Sequence, residues 1–364
     1  MMDASHRLQR ARQCLLENDV DALIVSVGRD LPYLTGYEAM PLERLTALVV
    51  RADRTPQLFV PGLEVPRVKQ HPEAFETIGW SEEVDPVGLV AEALAGAHRV
   101  AIGDQMWSRF LVELLHQRPD LSLVRSTEVI GAMRMIKDDD EVAALAAASA
   151  AVDRIADDLR TGVIPLVGRT EHQVSMDLSD RILAEGHERV NFAIVATADN
   201  AASPHHHPGS RIIGENELVL CDFGGTMDGY CSDITRCVVT GTASAEIREA
   251  WEVLRTAQQA GVDAAVVGTP CEEVDRAPRR VIDDAGWGEY FVHRTGHGIG
   301  MEEHEDPYMV EGNQRPLEHG HAFSVEPGIY VPGQWGMRLE DIVVATVDGP
   351  RRLNNVGRDL PELQ

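Results

Sequence analysis

Residues 5 to 18 put Leu8, Ala11, Leu15 and Leu16 on one side of a helical wheel, with basic and polar residues opposite, a pattern that predicts a surface helix. Short apolar runs follow. DALIVSV, LTALVV, QLFV and RVAIG read as strands, and QMWSRFLVELLHQ reads as a helix that ends before Pro119. LPYLTGY, with Pro32, Gly36 and two tyrosines, reads as a turn. The alternation of strand and helix predicts an α/β domain at the N-terminus, and no chemistry clusters in it.

The pattern changes near residue 135, which divides the chain into domains of residues 1–135 and 136–364. MRMIKDDDEVAALAAASAAVDRIADDLR is rich in alanine, and Asp138 followed by Glu141 predicts a capped helix start. Thr170 with Gln173 announces a second helix that stops at Gly186, and a third runs from Ser244 through VDAAVV. A fourth begins at Thr269, with Pro270 in its first turn and Glu272 completing a capping box, and ends at Gly286. Apolar strands lie between these helices, so the second domain reads as α+β.

Four carboxylates interrupt those apolar strands. Asp222 lies in ELVLCDFGG, Asp233 in GYCSDITRCVV, Glu326 in AFSVEPGIYV and Glu340 in GMRLEDIVV. A buried carboxylate is costly without a base or a metal beside it, and few lysines are near. Any one of these acids reads most simply as a turn cap or an arginine partner. Together, two aspartates eleven residues apart and two glutamates fourteen apart suit a two-metal site with carboxylate bridges. An imidazole is on hand in HRTGHGIGMEEHE, where His293, His297 and His304 fall within twelve residues. Gly296, Gly298 and Gly300 argue against the helix of an HExxH zinc site and for a strand or turn close to another group.

Composition narrows the partners. A net charge of −26 and a pI near 4.8 leave no basic surplus for nucleic acid, so none is expected to bind. The five cysteines, Cys14, Cys221, Cys231, Cys237 and Cys271, form no CxxC pair and no even framework, which suits a reducing cytoplasm. The amphipathic start lacks a signal-peptide core, and no run approaches the length of a membrane span. A soluble cytoplasmic protein is expected.

The motifs DFGGTMDGYCSDITR, HRTGHGIGMEEHEDP, SVEPGIY and RLEDIV closely resemble those of the metallopeptidases that include Xaa-Pro dipeptidase (prolidase), Xaa-Pro aminopeptidase and methionine aminopeptidase. The resemblance is strong from about residue 137 to the end and looser before it. It implies a creatinase-like α/β N-terminal domain, then an α+β pita-bread catalytic domain with a curved antiparallel sheet and metals on its inner face. It carries over Asp222, Asp233, His297, Glu326 and Glu340 as ligands of two divalent metal ions, with Asp233 and Glu340 bridging. Carboxylates and one imidazole suit hard ions such as manganese, with cobalt, iron or zinc as alternatives.

The implied reaction is hydrolysis of Xaa-Pro peptide bonds by a hydroxide bridging the two metals, with Glu326 as proton shuttle. His304 matches a histidine that stabilises the oxyanion, and His293 one on the leaving-group side that helps bind substrate. His205 faces the substrate, while His206 and His207 read as a polar loop. Arg338 meets the substrate carboxylate or neutralises the acid cluster. The run AMPLERL departs from the family, with Met40 and Leu42 where polar residues stand elsewhere. Arg44 there is either a surface ion pair or a substrate contact. The short N-terminal domain favours dipeptides over the longer peptides of an aminopeptidase, and five filled ligand positions disfavour a non-catalytic binding module. A homodimer is expected from the resemblance alone.

Overall fold

The structure, a computed structural model, describes residues 4–364. It divides into two compact units, Met1–Arg134 and Met135–Gln364. In the first, six strands form one mixed sheet in the order Glu76–Trp80, Gln57–Pro61, Ala47–Arg51, Ala22–Val25, Arg99–Ile102, Ser122–Arg125. Ala22–Val25 and Ala47–Arg51 are buried along their whole length, as expected for apolar runs covered on both faces. The four strands read from the sequence all form. Glu76–Trp80 and Ser122–Arg125 escaped that reading because polar residues fill much of these edge strands.

Two expectations fail in this unit. LPYLTGY is a helix, Asp30–Thr35, and only its end is a turn: Gly36 closes it at φ 71°. Pro32 sits in the first helical turn, where its missing N–H has no carbonyl to meet, and buried Leu31 and Leu34 supply a helical apolar stripe. In the helix Ala4–Glu17, Leu8, Ala11 and Leu15 are buried, but Leu16 is 66% exposed, so the buried stripe is narrower than the sequence suggested.

In the second unit the helix Asp139–Arg160 opens on the Asp138–Glu141 capping box, and Glu171–Ala184 opens on the box formed by Thr170 and Gln173. Ser244 caps Ala245–Ala264. The box expected at Thr269 does not form. Pro270 takes the cap position of Cys271–Asp284, and the carbonyls of Arg315 and Asn313 accept from the Cys271 and Glu272 amides instead. A neighbouring loop has replaced the side-chain cap.

The strands of this unit are antiparallel apart from one short parallel pairing of Val239–Thr240 with Glu362–Leu363. One sheet runs Glu362–Leu363, Ile234–Thr240, Leu218–Met227, Arg189–Thr197, with Tyr230–Cys231 folded back on Leu218–Met227. The other runs Glu305–Met309, Gly296–Gly298, Ala322–Val325, Asp341–Thr346, Gly349–Arg352, and Gly328–Val331 pairs with Trp335–Arg338 as a separate hairpin. Helices pack on these sheets; at Gly261 an added Cβ would lie 2.8 Å from Val325, so only glycine lets the helix come this close.

Candidate metal centre

The strands deliver the acids at their ends. Asp222 alone lies inside a strand; Asp233 immediately precedes Ile234–Thr240, Glu326 follows Ala322–Val325, and Glu340 precedes Asp341–Thr346. His297 is the central residue of Gly296–Gly298. The flanking glycines permit this strand to lie against its neighbours: a Cβ on Gly296 would meet the Ser324 carbonyl, and one on Gly298 the backbone of Glu305 and Asp306. That close packing holds the imidazole among the acids.

Ligand atoms of Asp233, His297 and Glu340 all lie within 4.8 Å of one another, and the three residues are buried. His297 Nε2 is 3.2 Å from Glu326 Oε1 and 3.7 Å from Asp233 Oδ2. Asp222 and Glu326 join Asp233, His297 and Glu340 around one cavity of about 570 Å³, with His205, His293, His304 and Arg338 in its wall. All nine residues singled out in the sequence therefore meet at one place.

Two features of the donors fit cations. Asp222 Oδ1 and Glu340 Oε1 are buried with no hydrogen-bond partner, an expensive condition for carboxylate oxygens unless a cation meets them. His297 Nδ1 lies 3.1 Å from the Gly298 carbonyl, which assigns the proton to that nitrogen and turns Nε2 toward the carboxylates. The Nε2 lone pair is thereby offered to a cation among the carboxylates. Divalent ions would satisfy these oxygens and this nitrogen together.

Electrostatics describe the same demand. Burial, then the neighbouring charges of Glu340, Asp222 and Glu326, push the Asp233 carboxyl well above its usual range. Burial and the charges of Glu326 and Asp222 do the same to Glu340, whose Oε2 accepts a hydrogen bond from Thr235 at 2.7 Å. Burial raises Asp222 too, though the Arg338 guanidinium, hydrogen-bonded to Oδ2, opposes it. For Glu326 burial acts upward, but contact with His297 prevails and holds the carboxyl at about 2. One arginine does not balance four acids.

Burial disfavours the charged form of two imidazoles in the cavity wall, His304 and His293. Burial and the neighbouring His297 lower His304 to about 4, and its ring centroid lies 3.8 Å from that of His297. Burial likewise lowers His293. His293 Nδ1 is 2.7 Å from the Arg294 carbonyl, so the Tyr330 hydroxyl donates to Nε2 at 3.0 Å and accepts from Arg338 Nη1 at 2.7 Å. Arg338 also donates from Nε to Thr235 at 3.0 Å, and Nη2 serves Asp222. Arg338 thus meets Asp222 directly while lining the cavity, and its five N–H donors leave both expected roles open.

Sequence reasoning missed several of these groups. Tyr330, in SVEPGIYV, was visible only as a strand aromatic, and Thr235 only as one polar residue in a buried strand. Phe192 and Ile194 form apolar wall, and Arg294 and Glu303 charged wall, with no spacing to mark them. His206, read as loop, meets the buried Glu171 at 2.8 Å.

Buried acids in want of cations, set beside neutral imidazoles at converging strand ends, define a metal-dependent hydrolase. The comparisons agree. The model of metallopeptidase family M24 matches residues 142–347, and that of the creatinase/prolidase N-terminal domain matches residues 7–136. The chain belongs to metallopeptidase family M24. It is 40% identical to the probable dipeptidase PepE of Mycobacterium tuberculosis, over 98% of this chain and 96% of that one. It is 37% identical to the Xaa-Pro dipeptidase of Lactobacillus helveticus, over 97% and 98%. The prolidase of Thermococcus sibiricus superposes with a TM-score of 0.93 at 33% identity, covering both chains entirely.

Proposed function

We propose that this protein hydrolyses the Xaa-Pro bond of dipeptides, using two divalent ions, with manganese the first candidate. One observation carries the reading: Asp222 and Glu340 each keep a buried oxygen without a partner, within a cluster that only one arginine neutralises. Asp222, Asp233, His297, Glu326 and Glu340 would hold the ions. When bound, they supply an acidified water and polarise the scissile carbonyl.

The chain's own groups handle the protons and the substrate. Glu326 Oε1 accepts from Ser324 at 3.0 Å, which fixes the carboxylate at the cavity edge. From there it takes the proton of the attacking water and passes it to the proline nitrogen as the C–N bond breaks. Neutral His304 donates its N–H to the developing oxyanion, and His205 faces the substrate from the wall of the same cavity. His293, its two nitrogens engaged by Arg294 and Tyr330, shapes the leaving-group side. Phe192 and Ile194 give the proline or Xaa side chain an apolar surface. Proline suits such a site, because its ring fixes φ and removes the N–H that a strand-binding protease needs.

A cavity of about 570 Å³ accommodates a dipeptide, and relatives named Xaa-Pro dipeptidase support this choice. Free cysteines, four of them buried, support a cytoplasmic setting. Among the described residues no helix is long and apolar enough to cross a membrane. A homodimer remains part of the proposal, with light scattering as its check. The deciding experiment assays an Xaa-Pro dipeptide against an Xaa-Pro-Yaa tripeptide with manganese, cobalt or zinc. Release of proline from the dipeptide supports the reading; cleavage of the tripeptide alone makes the protein an aminopeptidase.

A further inference from the structure

Glu171 is wholly buried in the first turn of Glu171–Ala184 and is not among the residues that line the cavity of the metal centre. Its Oε1 accepts from the Thr197 amide and from Asn200 Nδ2, both at 3.0 Å. Its Oε2 accepts from Asn200 Nδ2 at 3.1 Å, from His206 Nε2 at 2.8 Å and from the Gly209 amide at 3.2 Å. Asn200, His206 and Gly209 all lie on the segment that carries His205. The His172 amide adds a bond to the Gly209 carbonyl at 3.0 Å.

His205 itself is exposed at the cavity wall, and no hydrogen bond from the described residues holds its ring. Its direction must therefore come from the backbone beneath it. Pro204 and Pro208 stiffen that backbone, and exposure alternates from His205 to half-buried His206 to exposed His207. Anchoring His206 inward turns the preceding side chain outward, toward the cavity. A carboxylate with five hydrogen bonds, several of them to one short loop, is a firm anchor.

We infer that Glu171 is a positioning residue for His205: through His206 and Gly209 it fixes the loop that presents this imidazole to the substrate. The inference rests on the peptidase reading for the role of His205, and not for the anchoring itself. Glu171→Gln is isosteric but turns an NH2 group toward N–H donors, so the loop loses contacts without leaving a hole.

The test is a double-mutant cycle on an Xaa-Pro dipeptide with metal-loaded enzyme, joined to hydrogen exchange of the Ser203–Gly209 amides without substrate. Glu171→Gln is expected to lower kcat/KM about tenfold to a hundredfold in the native background, with metal content unchanged. In a His205→Ala background it is expected to cost almost nothing further. Equal losses in both backgrounds would overturn the inference, since Glu171 would then act elsewhere. Exchange across Ser203–Gly209 that is no faster in Glu171→Gln than in the parent would overturn it too. If Glu171→Gln does not fold, His206→Leu replaces it, with His206→Gln, which restores a donor, expected to recover activity. Failure of the parent enzyme on every Xaa-Pro dipeptide would remove the dipeptidase reading alone, and the exchange data would still decide whether Glu171 holds the loop.

Discussion

The two units treat their acids differently. Among the described residues up to Arg134 no Asp or Glu is buried; acids such as Asp53 stay outside, with Arg51 and Arg54 beside them. In the second unit buried acids are common, and they fall into two kinds, shown best by the neighbours Glu340 and Asp341. Asp341 meets Arg236 at 2.6 Å, Arg352 at 3.2 Å and Gln258 at 3.0 Å. Glu340, on the opposite side of the chain, has only the Thr235 hydroxyl and one oxygen without a partner. Burial is thus not the mark of a ligand. A buried acid with an oxygen that no donor reaches, as in Asp222 and Glu340, is.

The contrast can be broken in several places. The largest effect belongs to Glu326→Gln, expected to cut kcat about a thousandfold with the melting temperature little changed, because the amide accepts no proton. Near-normal turnover would end its role as proton shuttle. Next, denaturant unfolding of metal-free protein compares the two neighbours. Asp341→Asn is expected to cost about 3–5 kcal/mol by stranding a buried arginine, whereas Glu340→Gln leaves metal-free stability equal or higher. The reverse order would mean that Glu340 is a structural acid.

Tyr330→Phe leaves His293 Nε2 without its donor, and kcat/KM is expected to fall about tenfold, with metal content retained. A smaller effect concerns pH. In metal-free protein Asp233 and Glu340 hold protons more tightly folded than unfolded, so their contribution is fully present below the unfolded value and is lost as pH rises through the raised folded one. Histidines such as His304 and His321, lowered to about 4 by burial, act in the opposite direction. The difference between parent and Glu340→Gln removes that background. The parent is expected to lose a few degrees of melting temperature relative to the variant between mild acid and neutral pH. The smallest effect is that of Arg44→Ala, which removes only exposed pairs with Glu43 and Glu82 and is expected to leave the melting temperature unmoved.

The site was more legible in the sequence than the elements around it. Asp222, Asp233, Glu326 and Glu340 stood out because a carboxylate in an apolar frame is rare, and rarity survives without coordinates. Capping boxes at Asp138 and Thr170 were equally local and formed as read. What escaped depends on distant partners: the carbonyls of Asn313 and Arg315 that displaced the Thr269 cap, and the packing that made LPYLTGY a helix. Tyr330 and Glu171 escaped for the same reason. A tyrosine in a strand and a glutamate at a helix start are ordinary until the structure shows what they touch.

Calorimetric titration of metal-free protein with manganese tests the central claim most directly. The parent is expected to bind about two ions per chain, releasing protons as the acids meet cations, and Glu340→Gln is expected to lose at least one of them. A parent chain that takes up no manganese, cobalt or zinc, or a variant that binds as the parent does, would contradict the account.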